Sequence, residues 1–254
     1  RDQVKPDLLL ATDPDADRVG IAVPDGKGGY ALFSGNEVGA MLLEYICEQR
    51  VQKGTMPKHP VAVKTIVTTD IVEAICKAYG VELIEVLTGF KFIGEQIGFL
   101  EAKGEENRYI FGFEESYGYM IGHYVRDKDA VTASLLLTEM AAWYYSQGMT
   151  LFDALNALFE KYGWYGEKTH NLVMPGVDGL EKMAALMKHL RQTPPADIAG
   201  VAVTVRKDYA DGTATDCATG VSSPMELQGS NVLRYELADG TTILVRPSGT
   251  EPKI

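Results

Sequence analysis

The stretch VAVKTIVTTDIVEAICKAYGVELIEVL, residues 61–87, decides the fold. VAVKTIVTT is rich in β-branched residues and reads as a buried strand. Asp70 then stands as a helix cap before IVEAICKAYG, which Gly80 closes, and VELIEVL is strand-like again. Outward from this core the alternation continues. Downstream come a helix from Phe92 to Lys103 and the strand YIFGF at 109–113. Upstream, SGNEVGAMLLEYICEQR places Val38, Met41, Leu42, Tyr45 and Ile46 at helical spacing behind a Ser/Asn start signal. Before it, DLLLAT (7–12) and VGIAV (19–23) read as short buried strands, followed by the PDGKGG turn. Strands alternating with helices predict an α/β domain: layered, with a mixed, largely parallel sheet.

Helices are expected at about 128–147 and 150–162, the second stopped by Gly163, and a domain boundary is set there. The remainder predicts a strand GEKTHNLVM (166–174), a helix GLEKMAALMKHLRQ (179–192) and a strand VAVTVRKDY (201–209). A hairpin of VLRYEL and TTILVR around ADG ends the pattern. Paired hairpin strands with one helix predict a smaller α+β domain. Neither repeats nor low-complexity tracts interrupt the pattern.

The chain has 254 residues, 46% of them hydrophobic and 23% charged, as folded proteins do throughout their length. Its formal net charge of −11 argues against nucleic acid and anionic membrane as partners and leaves a small molecule. Three scattered cysteines, Cys47, Cys76 and Cys217, form no CxxC, which fits a reducing cytoplasm without disulfides. No apolar tract is long enough for a bilayer span. The chain starts at Arg1 without a methionine and enters a strand almost at once, so a fragment of a longer protein is expected.

Between the first two strands lies ATDPDADRVGIAV, with Asp13, Asp15 and Asp17 at alternating positions. A calcium-binding EF-hand fails, because Arg18 stands where Gly is required, Pro24 stands where Glu is required, and the flanks are strands. Two readings stay open. Three crowded carboxylates repel unless a cation neutralises them, and this hard oxygen set suits Mg²⁺; a polar turn with strand-ending aspartates is the other. Arg18 could hold a phosphate oxygen or pair with an aspartate.

RPSGTEPK gathers Arg246, Ser248, Gly249, Thr250 and Lys253, the parts of an anion nest or of an ordinary Pro/Gly turn. In FGFEESYGY, Glu114 and Ser116 would share one face of extended chain and offer acceptors and a hydroxyl to a sugar, unless the loop is merely solvated. TGFKFIGEQ supplies Thr88, Gly89 and Lys91 at a helix entrance, and VRDKDAV places Lys128 among charges; each lysine suits a phosphate or the surface. His123 has only a weak claim to the neighbourhood of the sugar loop. Walker, dinucleotide-binding, zincin and nucleophile-elbow motifs are missing.

Taken in order, TDPDADR, TGFKFIG, GFEESYGY, RDKDA and RPSGTEPK resemble the α-D-phosphohexomutase superfamily, on its phosphoglucomutase and phosphopentomutase branch. The similarity covers essentially the whole chain. It implies a four-domain enzyme in which a phosphoserine of the first domain exchanges a phosphoryl group with a sugar phosphate through a bisphosphate. Asp13, Asp15 and Asp17 then match the Mg²⁺ ligands and Arg18 the arginine beside the phosphoserine. Thr88 and Gly89 match the loop touching the sugar, Glu114 and Ser116 the hydroxyl-binding pair, and Lys128 a lysine near the reacting end. Arg246, Ser248, Gly249 and Thr250 match the grip on the phosphate that is not transferred, with Lys253 adding charge.

The resemblance further implies that residues 1–30 are the tail of a second domain, 31–162 the third, and 163–254 a fourth of the TATA-box-binding-protein-like class. The phosphoserine segment Ser-His-Asn has no counterpart, since no serine here precedes a histidine. The N-terminal domains of the same polypeptide are therefore expected partners, and the fragment alone is expected to be inactive. Glucose phosphate is the first expected substrate, pentose and mannose phosphates follow, and a metal-free phosphosugar-binding module is the non-enzymatic alternative.

Overall fold

The computed structural model describes residues 4–176, 178–248 and 254, and the chain divides into two compact units, 1–167 and 168–254. The division falls five residues beyond the boundary expected at Tyr162.

In the first unit β1 (Leu9–Thr12), β2 (Val19–Pro24) and β3 (Tyr30–Phe33) form an antiparallel sheet, with Leu9 opposite Ala22 and Ile21 opposite Phe33. The helix α1 (Gly35–Gln52) follows, its start fixed by a capping box in which Ser34 and Glu37 each satisfy the other's backbone N–H. Beyond it, β4 (Val61–Thr65), α2 (Ile71–Tyr79), β5 (Glu82–Val86), α3 (Phe90–Glu101), β6 (Tyr109–Glu114) and β7 (Gly118–Met120) build a second sheet in the order β5-β4-β6-β7. Its first three strands are parallel and β7 returns antiparallel. Helices α4 (Ala130–Ser146) and α5 (Leu151–Tyr162) complete the unit.

Strand alternation sorts this sheet's two faces. Val61 and Val63 of β4 and Tyr109 of β6 join Ile93 and Ile97 of α3 in one apolar cluster. Ala62, Phe111 and Phe113 face the other way, into a larger core with Val38 and Leu42 of α1, Ile75 of α2, Leu137 of α4 and Leu155 of α5. A register shift between Val61 and Ala62, opposite Tyr109 and Phe111, lets β6 contribute to both. Val19, Ile21, Val23 and Phe33 belong to the same large core, so the segment carrying the aspartates is anchored on its β2 side. The strand expected to be buried at 7–12 forms as β1 but is exposed at Leu10, Ala11 and Thr12, because among the described residues only β2 pairs with it and nothing covers its faces.

The expected strand at 61–69 stops at Thr65, where Thr68 N–H turns back to the Thr65 carbonyl at 3.0 Å. Asp70 stands at the start of α2 without capping it through its side chain. Its carboxylate instead meets the Lys64 ammonium at 2.7 Å, because Lys64 is 1% exposed and a buried cation demands a counter-ion.

The second unit contains α6 (Gly179–Gln192), β8 (Asp197–Ile198), β9 (Val201–Asp208), β10 (Thr213–Asp216), β11 (Ser222–Pro224), β12 (Leu233–Leu237) and β13 (Thr242–Val245). The sheet order is β11-β10-β9-β12-β13, with β8 also paired to β9, and all pairs are antiparallel. Met187 of α6 packs on Val203, Leu233, Tyr235 and Leu237. The strand expected at 166–174 does not form: its residues up to Val173 are exposed and only Met174 is half-buried, so no apolar face is covered. Only near its end does Leu172 exchange two backbone hydrogen bonds with Ile254, at 2.8 and 3.1 Å. Among the described residues no helix is long and apolar enough to cross a membrane.

Candidate functional site

The loop from β1 to β2 is wound around its own first carboxylate. Asp13 Oδ1 accepts the backbone N–H groups of Asp17 and Arg18, each at 3.1 Å, and Ala16 N–H donates to the Asp13 carbonyl at 3.1 Å. Burial pulls the Asp13 carboxyl upward, but the Arg18 and Asp17 donors outweigh it and hold it below the usual range. One oxygen or more of each of Asp13, Asp15 and Asp17 lies within 4.8 Å of the others'.

Asp17 is the informative member. Its Oδ2 meets Lys128 Nζ at 3.1 Å, while its Oδ1 is buried and receives no hydrogen bond; the nearest cation, Arg18 Nε, stands 3.6 Å away. A buried carboxylate oxygen without a donor is costly and calls for a positive partner. The oxygen-only donor set, three carboxylates with oxygens within 4.8 Å of one another, fits a hard divalent cation such as Mg²⁺.

The site's other parts come from distant sequence. β6 and β7 form a tight hairpin whose turn is Glu115–Tyr117, and this turn is tied to the acidic loop by Val19 N–H donating to the Tyr117 carbonyl at 3.2 Å. Arg18 and Gly118 form an isolated β-bridge, and Ala130 N–H donates to Ala16 O at 3.1 Å, joining the start of α4. A Cβ on Gly118 would stand 2.3 Å from Lys128 Cδ and 3.0 Å from Glu114 Oε1, so any side chain there would displace both. Glu114 and Lys128 therefore flank the same backbone. The Lys128 ammonium also contacts Asp127 at 3.2 Å and lies 5.1 Å from the Phe90 ring at the entrance to α3. Burial pulls its pKa down, and the Asp17 and Asp127 carboxylates more than reverse that, so it is held as a cation.

The structure thus brings together Asp13, Asp15, Asp17, Arg18, Glu114 and Lys128. Glu114 is 8% exposed. Ser116 does not share an extended face with it, because the chain turns at Glu115 and places Ser116 half-buried in the hairpin tip. Thr88 and Gly89 form the half-buried entrance to α3, with Gly89 at φ 120°, and Phe90 links them to Lys128. Lys91 is exposed, its ammonium 4.8 Å from the Phe92 ring centroid. His123 is half-buried in the segment after β7. In the second unit Arg246 is exposed and Ser248 half-buried beyond β13, while Gly249, Thr250 and Lys253 lie outside the described residues.

Sequence reasoning missed Asp129, whose carboxylate caps α4 by accepting the N–H groups of Val131 and Thr132 and thereby fixes Lys128 one residue before it. The available signal was an aspartate standing directly before an apolar helical run. It also missed Tyr117, whose backbone conformation no residue pattern announced.

Residues 34–162 match the family model described as phosphoglucomutase/phosphomannomutase, alpha/beta/alpha domain III. The phosphoglucomutase of Staphylococcus aureus (strain MRSA252) is 38% identical over 248 residues, 98% of this chain and 44% of that protein. The chain thus spans less than half the length of the curated relatives it matches. Among solved structures, the Paramecium phosphoglucomutase pp63/parafusin in its open form shares 20% identity at a TM-score of 0.61, covering 96% of this chain and 38% of that one. A phosphoglucomutase/phosphomannomutase family protein from Burkholderia thailandensis shares 17% at a TM-score of 0.51, covering 85% and 41%. The fold agrees, and the match across half the chain settles the membership: this chain belongs to the phosphoglucomutase/phosphomannomutase family, within the α-D-phosphohexomutase superfamily.

Proposed function

We propose that the full-length protein is a Mg²⁺-dependent phosphosugar mutase that moves a phosphoryl group between the 1- and 6-positions of glucose phosphate. This chain is its metal-holding and substrate-recognising portion. The carrying observation is the clustering of the three aspartates, with the buried Oδ1 of Asp17 receiving no hydrogen bond and, among the described residues, only two cations, Lys128 at 3.1 Å and Arg18 at 3.6 Å, set against three carboxylates.

Asp13, Asp15 and Asp17 would hold the ion, which when bound neutralises charge on a transferring phosphoryl group. Arg18 offers its guanidinium to a phosphate oxygen at the same loop. Lys128, fixed as a cation between Asp17 and Asp127, balances the loop and faces the reacting end. Glu114 and Ser116 offer acceptor and donor to ring hydroxyls, with Thr88, Gly89 and Lys91 closing the side formed by the start of α3. Arg246 and Ser248, with Gly249, Thr250 and Lys253, grip the phosphate that stays. Phosphoryl transfer asks for this division, since positioning and charge neutralisation supply most of its catalysis.

In domain terms, residues 1–30 are the tail of a second domain, 31–162 the third and 163–254 the fourth. The donor phosphoserine belongs to polypeptide outside these 254 residues, so this chain alone is inactive. The free cysteines suit a cytoplasmic location.

The test is a coupled assay of glucose 1-phosphate to glucose 6-phosphate, run with and without Mg²⁺ on the full-length protein, on Asp15→Asn and on the 254-residue chain. Turnover should require both Mg²⁺ and Asp15 and be absent from the chain alone. Metal-independent turnover, or an unaffected Asp15→Asn, defeats the reading. The ratio of kcat/KM for hexose and pentose 1-phosphates then ranks the substrates.

A further inference from the structure

We propose that Tyr117 is a substrate-positioning residue whose ring forms the sugar-facing wall beside the acidic loop, stacking on the C–H face of the bound phosphosugar. The inference rests on the phosphosugar reading and adds to it a residue that has no part in the metal or phosphate contacts.

Tyr117 has φ 67°, in the left-handed region that side chains with a β-carbon resist. Two of the five described non-glycine residues with positive φ, Ala16 and Tyr117, lie in this one cluster. Glycine or asparagine would close the turn more cheaply, so the backbone gives no reason for an aromatic here. The surroundings impose the conformation. The Tyr117 carbonyl accepts Val19 N–H at 3.2 Å, and its nitrogen lies only 2.7 Å from where a Cβ on Gly35 would stand.

With the backbone pinned, the ring is aimed. Its Cδ1 is 4.0 Å from the position a Cβ on Gly20 would take, so the ring lies beside a residue with no side chain. There it lines an open depression of about 300 Å³ with Ala11, Thr12, Asp13, Arg18 and Gly20, while remaining 39% exposed. That volume lies at the small end of ligand sites, which pair apolar walls with a few polar groups. Asp13 and Arg18 supply the charge, and Tyr117 supplies the one broad apolar surface. A sugar phosphate has both kinds of face. A ring with two side-chain torsions also loses little freedom when covered.

The experiment measures calorimetric binding of glucose 1-phosphate and of inorganic phosphate, with Tm, for the full-length wild type, Tyr117→Gly and Tyr117→Phe. We expect Tyr117→Gly to keep or raise Tm, to weaken glucose 1-phosphate binding tenfold or more, and to leave inorganic phosphate within twofold. Tyr117→Phe should stay within threefold of wild type for both. If glycine loosens the hairpin and lowers Tm, Tyr117→Asn, which also accepts left-handed backbone, takes its place under the same expectations. Sugar phosphate binding within twofold in the Gly or Asn variant overturns the inference. So does a parallel loss for inorganic phosphate, or a Phe variant as weak as the Gly variant. A wild type that binds no sugar phosphate removes the functional reading itself, an outcome distinct from any of these.

Discussion

Three glycines inside helices of the first unit should respond to the same added methyl group with opposite signs. Gly98 of α3 has nothing within 4 Å of the place its Cβ would occupy. Alanine there gains helix propensity alone, about 0.5–1 kcal/mol, which raises Tm by about 1–4 °C. Gly35 opens α1, and its Cβ would stand 2.2 Å from Glu115 O, 2.9 Å from Glu115 C and 2.7 Å from Tyr117 N. All three are backbone atoms of the hairpin turn, so no side chain can swing aside, and the turn must retreat by roughly 1 Å to reach ordinary contact. Overpacking of this kind costs about 1–3 kcal/mol, against a helix gain of at most about 1 kcal/mol. Gly35→Ala is therefore expected to lose up to about 2 kcal/mol, lowering Tm by at most about 8 °C. Gly94→Ala should follow it, because its Cβ would stand 2.5 Å from Arg126 O, in the segment leading to Lys128. Thermal unfolding of the full-length protein measures all three, and calorimetry with glucose 1-phosphate reads whether moving the turn weakens binding in Gly35→Ala but not in Gly98→Ala. A Gly35→Ala protein melting at or above wild type would refute the close approach of turn and helix on which the site's geometry depends.

Lys64→Met should cost no more than about 1 kcal/mol, since Asp70, Glu73 and Glu85 around it are 31%, 64% and 34% exposed and can rehydrate. Asp70→Ala, which strands a buried ammonium, should cost about 3 kcal/mol, the low end for a broken buried pair because Glu73 and Glu85 remain; equal urea-unfolding losses in the two variants would contradict this. Thr150 holds the Asp153 carboxyl below its ordinary value of 3.8 through the capping box of α5. A depressed folded pKa gives stability that is present above 3.8 and lost as pH falls through the lower folded value, so Asp153→Asn should trail wild type at pH 7 and match it at the acid end. A gap that persists in acid speaks against the ionic cap.

The helices were legible where cap and periodicity agreed. GLEKMAALMKHLRQ forms α6 over its full length, and Gly80 ends α2 in the left-handed conformation, as its place after an apolar run implies. The strands were legible only where burial wrote them. β4 is buried along its whole length and stands out as VAVKT, whereas β10, half-buried with TATD, and β11, exposed with SSP, leave no hydrophobic signature. GEKTHNLVM failed in the opposite direction: it has strand-like residues but no face to cover. Asp70 shows how tertiary need overrides a local rule, because a buried lysine from another element claimed the carboxylate that the helix start would otherwise have used.

For the site, sequence order and spatial neighbourhood part company. The acidic loop could be found from three alternating aspartates, and GFEESYGY and RDKDA could be found as polar interruptions of apolar runs, yet nothing local says that they meet. What joins them is backbone: Val19 to Tyr117, Arg18 to Gly118, and Ala130 to Ala16. Glycine at 35 allows the turn to approach the helix, glycine at 118 leaves room for the Lys128 and Glu114 side chains, and a pattern of residue types cannot register a clearance of 2–3 Å. The same crowding explains why Ser116 left the extended face expected of it and why Tyr117 was forced into left-handed backbone with its ring outward. A carboxylate triad on the loop between β1 and β2, locked to the β6–β7 hairpin through backbone hydrogen bonds, keeps the two loops in fixed register. If the two were independent loops, Gly35→Ala would displace the hairpin and leave the acidic loop in place; their shared backbone requires the two to move together.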